Sequence, residues 1–230
     1  MRALLLSLLL AGCMVPTRLA SDTRFLALGD SYTIGEGVDP SERWPVVLAG
    51  SLREAGLDVG DPTIVAVTGW TTDELDAGID AAVAEGTVGG TYRLVTLLIG
   101  VNNQYRGRSA DEYRGQFRAL LGRAVGFAGG RPARVVVLSI PDWGVTRFAA
   151  EAARTDRRRA PEVVAGEIDR FNAVSREETA SAGAHWVDVA PASRAYRAEL
   201  APDGLHPSGA QYVRWAAAAL PEARAALSGR

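Results

Sequence analysis

Two short stretches carry residue types able to do chemistry together. The first is Gly29-Asp30-Ser31-Tyr32, which closes the apolar run Phe25 to Leu28. A serine where a strand turns towards a helix is exposed at the sheet edge, with backbone N–H groups around it. That placement suits a nucleophile, and it equally suits an ordinary turn. The second is Asp203-Gly204-Leu205-His206-Pro207. A serine hydroxyl is a poor nucleophile unless a base takes its proton. His206 sits in a loop, and Asp203 precedes it by three residues, so one tight turn lets the carboxylate accept the Nδ1 proton. A carboxylate there fixes the imidazole tautomer and stabilises the imidazolium. The other histidine, His185, opens a strand beside Trp186 and reads as structural.

Acyl transfer through a serine builds an oxyanion, which needs fixed donors. The backbone N–H groups of Ser31 and Gly69 and the side-chain amide of Asn102 are the available ones. A glycine serves through its backbone alone, and an asparagine supplies a donor where an aspartate has none.

The elements that must position these groups follow from the hydrophobic pattern. Phe25–Leu28, Thr63–Val67, Leu94–Ile99, Val135–Leu138 and Trp186–Val189 are short apolar runs, read as five strands. Helical stripes lie between them. Trp44, Leu48, Leu52 and Ala55 form one, begun by Ser41 as cap; Leu75, Ile79, Ala82 and Val83 form a second. Tyr113, Phe117, Leu120, Leu121 and Ala124 form a third, and Val164, Ile168, Phe171 and Val174 a fourth. Tyr212, Trp215, Ala216 and Ala219 form the last, which Ser208 caps and Pro221 is expected to break. Thr71 to Glu74 and Ser109 to Glu112 have capping-box spacing. Residues 145–160 are less regular. Strand–helix alternation of this kind predicts a parallel sheet with right-handed crossovers and helices on both faces. In such a sheet the ligand site lies beyond the carboxyl ends of the strands. Ser31, Gly69 and Asn102 follow strands one, two and three, and Asp203 and His206 lie beyond strand five.

Composition closes off other chemistries. The chain has 230 residues and a formal net charge of −2. That near-neutral balance argues against nucleic acid as the partner. All 25 basic residues are arginine, so there is no Walker lysine, Schiff-base lysine or lysine base. Two histidines and one cysteine cannot build the usual zinc site, and no intrachain disulfide is possible. No metal and no cofactor is expected.

Met1-Arg2, the apolar Ala3 to Leu10 and then Leu10-Ala11-Gly12-Cys13 resemble a bacterial lipoprotein signal. In that reading residues 1–12 are a signal peptide, Cys13 is lipidated, 13–23 is a tether and 24–230 is the folded domain. The chain is then exported and held at a membrane by its anchor. An ordinary secretory signal cut nearby is the simpler alternative.

Gly29-Asp30-Ser31-Tyr32, Gly69, Gly100-Val101-Asn102-Asn103 and Asp203-Gly204-Leu205-His206-Pro207 resemble, in order, the four motif blocks of the SGNH, or GDSL-type, hydrolases. The resemblance spans residues 25–210. It implies a three-layer α/β/α, flavodoxin-like fold with a five-stranded parallel sheet in the order 2-1-3-4-5. It implies Ser31 as nucleophile, His206 as base with Asp203 as its partner, and Ser31, Gly69 and Asn102 as oxyanion donors. Tyr32 stands where the family usually has leucine, and Asn103 where it usually has aspartate.

The resemblance implies a small-molecule or lipid ester as substrate: short acyl esters, lysophospholipids, thioesters or acetylated sugars. The run Leu97 to Arg106 looks more like the lysophospholipase and esterase branch than the carbohydrate acetylesterases. Trp70, Tyr105 and Trp143 each follow a strand end and could line an acyl pocket, or serve as ordinary rim aromatics. Arg157-Arg158-Arg159 reads as a solvated run, or as a wall of the site that meets an anionic substrate. A non-catalytic binding lipoprotein on the same fold is the competing class, against which the intact Ser31, Asp203 and His206 argue. Oligomeric state is not legible.

Overall fold

The computed structural model describes residues 23–228. The signal peptide, Cys13 and all of the tether except Thr23 lie outside the described residues. In chain order the elements begin with β1 (Phe25–Gly29), α1 (Ser31–Ile34), α2 (Trp44–Glu54), β2 (Pro62–Ala66) and α3 (Thr72–Ala84). They continue with β3 (Leu94–Leu98), α4 (Val101–Tyr105), α5 (Ala110–Phe127), β4 (Val135–Leu138), α6 (Arg147–Ala152) and α7 (Pro161–Ala182). Last come β5 (His185–Val187), α8 (Ala190–Ala195) and α9 (Gly209–Ser228). All strand pairs are parallel and the sheet order is β2-β1-β3-β4-β5. This is the order implied by the motif resemblance.

Burial follows the apolar pattern. Every residue of β1 and β3 is buried, as befits central strands covered on both faces. Helices α2 and α9 pack against each other, and α5 packs against both α3 and α7. Trp44, Leu48 and Leu52 of α2 meet a core that includes Tyr212, Trp215 and Ala219 of α9. Burying side chains of this size stabilises the fold by about 1.5–3 kcal/mol each.

The sheet register places the site. Gly29 at the end of β1 aligns with Ala66 of β2 on one side and Leu98 of β3 on the other. The segments leaving these three strands therefore start level with one another. They carry Ser31, Gly69 and Asn102.

Several boundaries differ from the sequence reading. Pro40–Glu42 is a separate 3-10 turn bracketed by Asp39 and Glu42, so Ser41 does not cap α2, which starts at Trp44 with Pro45 in its first turn. Strand β5 ends at Val187 because the backbone N–H groups of Val189 and Ala190 turn to Ser139 Oγ, at 2.8 and 3.1 Å. Pro221 lies inside α9 and does not break it. Both Pro221 and Ala217, whose carbonyl it leaves without an N–H, are exposed, so water can replace that bond while Ala219, Ala223 and Ala226 stay buried. The irregular stretch 145–160 contains α6 and a 3-10 turn over Arg157–Arg159.

Candidate active site

The segment after β1 turns at once into α1. Asp30 is fully buried there, and its Oδ1 accepts the Tyr32 N–H at 3.0 Å. Its Oδ2 is buried and has no partner. Burial pushes the Asp30 carboxyl up to about 7, against the Tyr32 hydrogen bond, which lowers it. Ser31 follows, almost buried, at the floor of a cleft of about 220 Å³. His206, Gly69 and Asn102 line the same cleft.

His206 is carried by a closed loop. Leu200 and Pro207 form an antiparallel bridge, and the Ala201 N–H donates to the His206 carbonyl at 2.7 Å. Within the loop, Asp203 Oδ1 accepts the N–H groups of Leu205 and His206 at 2.8 and 3.0 Å, and Oδ2 lies 2.6 Å from His206 Nδ1. Burial acts to raise the Asp203 pKa. The hydrogen bonds from His206 and from the two backbone N–H groups outweigh it and hold the carboxyl below its ordinary value. The ring of Tyr32 meets the imidazole edge-on, with centroids 5.7 Å apart, and leans on Trp215 behind it. The aromatic residue after the serine thus braces the histidine.

The other side of the cleft is held by α4. Gly100 has φ +127°, and a Cβ there would lie 2.5 Å from the Tyr113 ring, so only glycine admits the chain into α4 this closely. Asn102 Nδ2 donates to the Trp70 carbonyl at 2.9 Å. A primary amide has two N–H bonds, so one remains for the cleft. One turn on, Arg106 donates to the Gly69 carbonyl at 2.7 Å and pairs with Glu74 at 3.0 Å. Gly69 itself has φ +89°. Asn102 and Arg106 therefore pin the Gly69–Trp70 turn to α4 from two points.

Asn103 shows what stands in for the family's usual aspartate. Its Oδ1 accepts the Thr72 N–H at 3.0 Å, and its Nδ2 donates to Thr72 Oγ1 at 2.7 Å and to Gln116 at 3.3 Å. Each amide atom is used, so a neutral side chain ties α4 to the start of α3 without a buried charge.

Of the three aromatics expected to line a pocket, Tyr105 and Trp143 line the cleft. Trp70 is not among its lining residues: its indole packs on α3, where a Cβ at Gly78 would fall 2.1 Å from the ring. Its carbonyl, not its ring, serves the site. Val101, Phe148 and Leu205, which the motif reading passed over, complete the apolar wall. His185 lies elsewhere, hydrogen-bonded to Glu222 at 2.6 Å and to the Ala133 carbonyl at 3.1 Å. Among the described residues no cluster of three or more His, Cys, Asp or Glu side chains is arranged to hold a metal, and no helix is long and apolar enough to cross a membrane.

A parallel sheet in the order 2-1-3-4-5, with polar groups from three adjacent strand ends and a carboxylate–imidazole pair around one cleft, defines an SGNH-type hydrolase fold. The comparisons agree. The profile of the GDSL-like Lipase/Acylhydrolase family matches residues 27–214. The chain belongs to that family and is a GDSL-type ester hydrolase. Among solved structures it is similar to TesA, with TM-score 0.64 and 21% identity over 89% of this chain and 99% of that one. It is similar to Axe2, an acetylxylan esterase from Geobacillus stearothermophilus, with TM-score 0.61 and 20% identity over 87% and 94%. It is also similar to the esterase EstA from Pseudoalteromonas sp., with TM-score 0.59 and 16% identity over 90% and 96%. At these identities the likeness is one of fold. No curated protein sequence matches the chain significantly.

Proposed function

We propose that the protein is a serine esterase that cleaves carboxylic esters through a Ser31–His206–Asp203 triad and an acyl-enzyme. Ser31 Oγ attacks the ester carbonyl carbon as His206 Nε2 takes its proton. The carbonyl oxygen becomes an oxyanion, met by the N–H groups of Ser31 and Gly69 and by the free N–H of Asn102. The intermediate collapses, the alkoxide leaves with the proton from His206, and the acyl group stays on Ser31. Water, deprotonated by His206, repeats the sequence and frees the acid. The observation that carries this reading is the 2.6 Å Asp203–His206 contact, in a loop that opens onto the cleft holding Ser31.

The cleft supports a substrate with a short acyl group. Its 220 Å³ is below the roughly 300–1,000 Å³ of sites that enclose drug-sized ligands, and its walls are Val101, Tyr105, Trp143, Phe148 and Leu205. Export with a lipid on Cys13 belongs to the same proposal. An anchor would then join the fold at Arg24, before β1, with Ser31 at the strand's other end, about 17 Å away.

A fluorophosphonate probe tests the proposal. Labelling is expected on the peptide that contains Ser31, and its absence in the folded protein would favour the non-catalytic binder.

A further inference from the structure

A second recess, of about 410 Å³, adjoins the catalytic cleft. Tyr105 and Trp143 line both, so the two hollows share a wall. The recess is strongly charged. Arg106, Arg158 and Arg159 line it against Asp156 and Glu167, which leaves one positive charge in excess.

The four other charges are engaged with neighbouring protein groups. Arg106 holds the Gly69 carbonyl and Glu74. Arg158 forms a two-point pair with Asp156, through Nε and Nη2, each at 3.0 Å. Glu167 accepts from Gln104 Nε2 at 2.6 Å, while Gln104 Oε1 accepts from Trp143 Nε1 at 2.8 Å. Asp156 is thereby hydrogen-bonded by Arg158; its Oδ2 also lies 3.8 Å from Arg159 Nε, an ion-pair distance that uses no Arg159 N–H because it is beyond hydrogen-bond range.

Arg159 differs from the others. Its guanidinium lies over the Tyr105 ring at 3.8 Å and near Trp143 at 5.7 Å, with its side chain three-quarters buried. Stacking fixes the plane of the fork without using its N–H bonds. A rigid, largely desolvated cation with unspent N–H donors, on the wall it shares with the catalytic cleft, matches an anionic acceptor with two oxygens.

We propose that this recess is a subsite for a negatively charged group, a carboxylate or phosphate, borne by the ester that reacts at Ser31, and that Arg159 is its specificity-determining residue. The inference rests on the esterase reading and adds a substrate class to it: esters carrying an anion a few bonds from the reacting carbonyl. Neutral and anionic substrates then share the chemistry and differ in how firmly the recess holds them.

The test compares matched pairs on the purified protein. One arm varies the acyl side, with p-nitrophenyl hydrogen glutarate against p-nitrophenyl methyl glutarate. The other varies the alcohol side, with a short-chain acyl glycerol phosphate against the corresponding acyl glycerol. The wild type is expected to prefer the anionic member in one arm by about tenfold or more in kcat/KM, through KM, as a charge-assisted hydrogen bond implies. Arg159→Gln is expected to abolish that preference, and Arg159→Lys to restore part of it. Added salt is expected to lower it. The responding arm tells which side of the ester enters the recess. Equal rates on both members in both arms, or an Arg159→Gln loss shared by charged and neutral esters and not eased by lysine, would overturn the subsite. Hydrolysis of the neutral esters is read in the same assay, so failure of the subsite is distinguishable from failure of the esterase reading.

Discussion

His206 Nδ1 lies 2.6 Å from Asp203 Oδ2, while the other oxygen of that carboxylate is held by the backbone N–H groups of Leu205 and His206. The imidazole is thus oriented by a side chain that the loop's own backbone fixes. Asparagine at 203 would keep the backbone bonds through its carbonyl oxygen but turn an NH2 towards Nδ1. That favours the tautomer protonated on Nε2, which cannot act as base. Asp203→Asn is expected to lower kcat by about 10⁴-fold with the circular dichroism spectrum unchanged. A loss under tenfold in steady-state assays would remove Asp203 from the triad.

The proposed oxyanion donors separate by variant. Asn102→Ala removes an N–H outright, and kcat is expected to fall about 10²–10³-fold. Gly69→Ala keeps its N–H, and the new methyl has room, with the nearest atom at 3.9 Å. Its φ of +89° makes the change a strain, expected to lower stability by about 1–2 kcal/mol. Denaturant unfolding and kcat measured on the same samples should therefore rank the two differently. Equal or reversed rate losses count against the donor assignment.

Asp30 predicts a pH-dependent stability. Its folded pKa is raised by burial from 3.8 to about 7. Between those values the unfolded chain gives up a proton that the folded chain keeps, so this carboxyl's contribution is fully present at low pH and lost as pH rises through 7. Asp73 and Glu178 have pKa values lowered to about 2, and their windows close below pH 5. The Tm difference between pH 5 and pH 8 is expected to shrink in Asp30→Asn. An unchanged difference would place the Asp30 proton elsewhere.

Much of this architecture is legible in sequence because it depends on local pattern. Leu94 to Leu98 reads as a buried strand from composition alone, and Thr71 and Glu74 form the capping box that their spacing predicts. The candidate site is legible because Ser31, Gly69 and Asn102 each follow a strand and the register makes those three ends level. What escapes depends on contacts between distant elements. Gln104 bridges Trp143 and Glu167 across α4 and α7, and no periodicity announces it. Trp70 follows a strand as Tyr105 does, yet the space over Gly78 draws its ring away from the cleft. Pro221 is tolerated because the carbonyl it orphans faces water, which only the packing of α9 reveals.

The most direct test is the rate of p-nitrophenyl ester hydrolysis, from acetate to palmitate, by the wild type and by Ser31→Ala. The wild type is expected to turn over the short esters best, and the variant to lose that activity while unfolding at the same denaturant concentration. A folded Ser31→Ala protein that hydrolyses these esters at the wild-type rate would contradict the account.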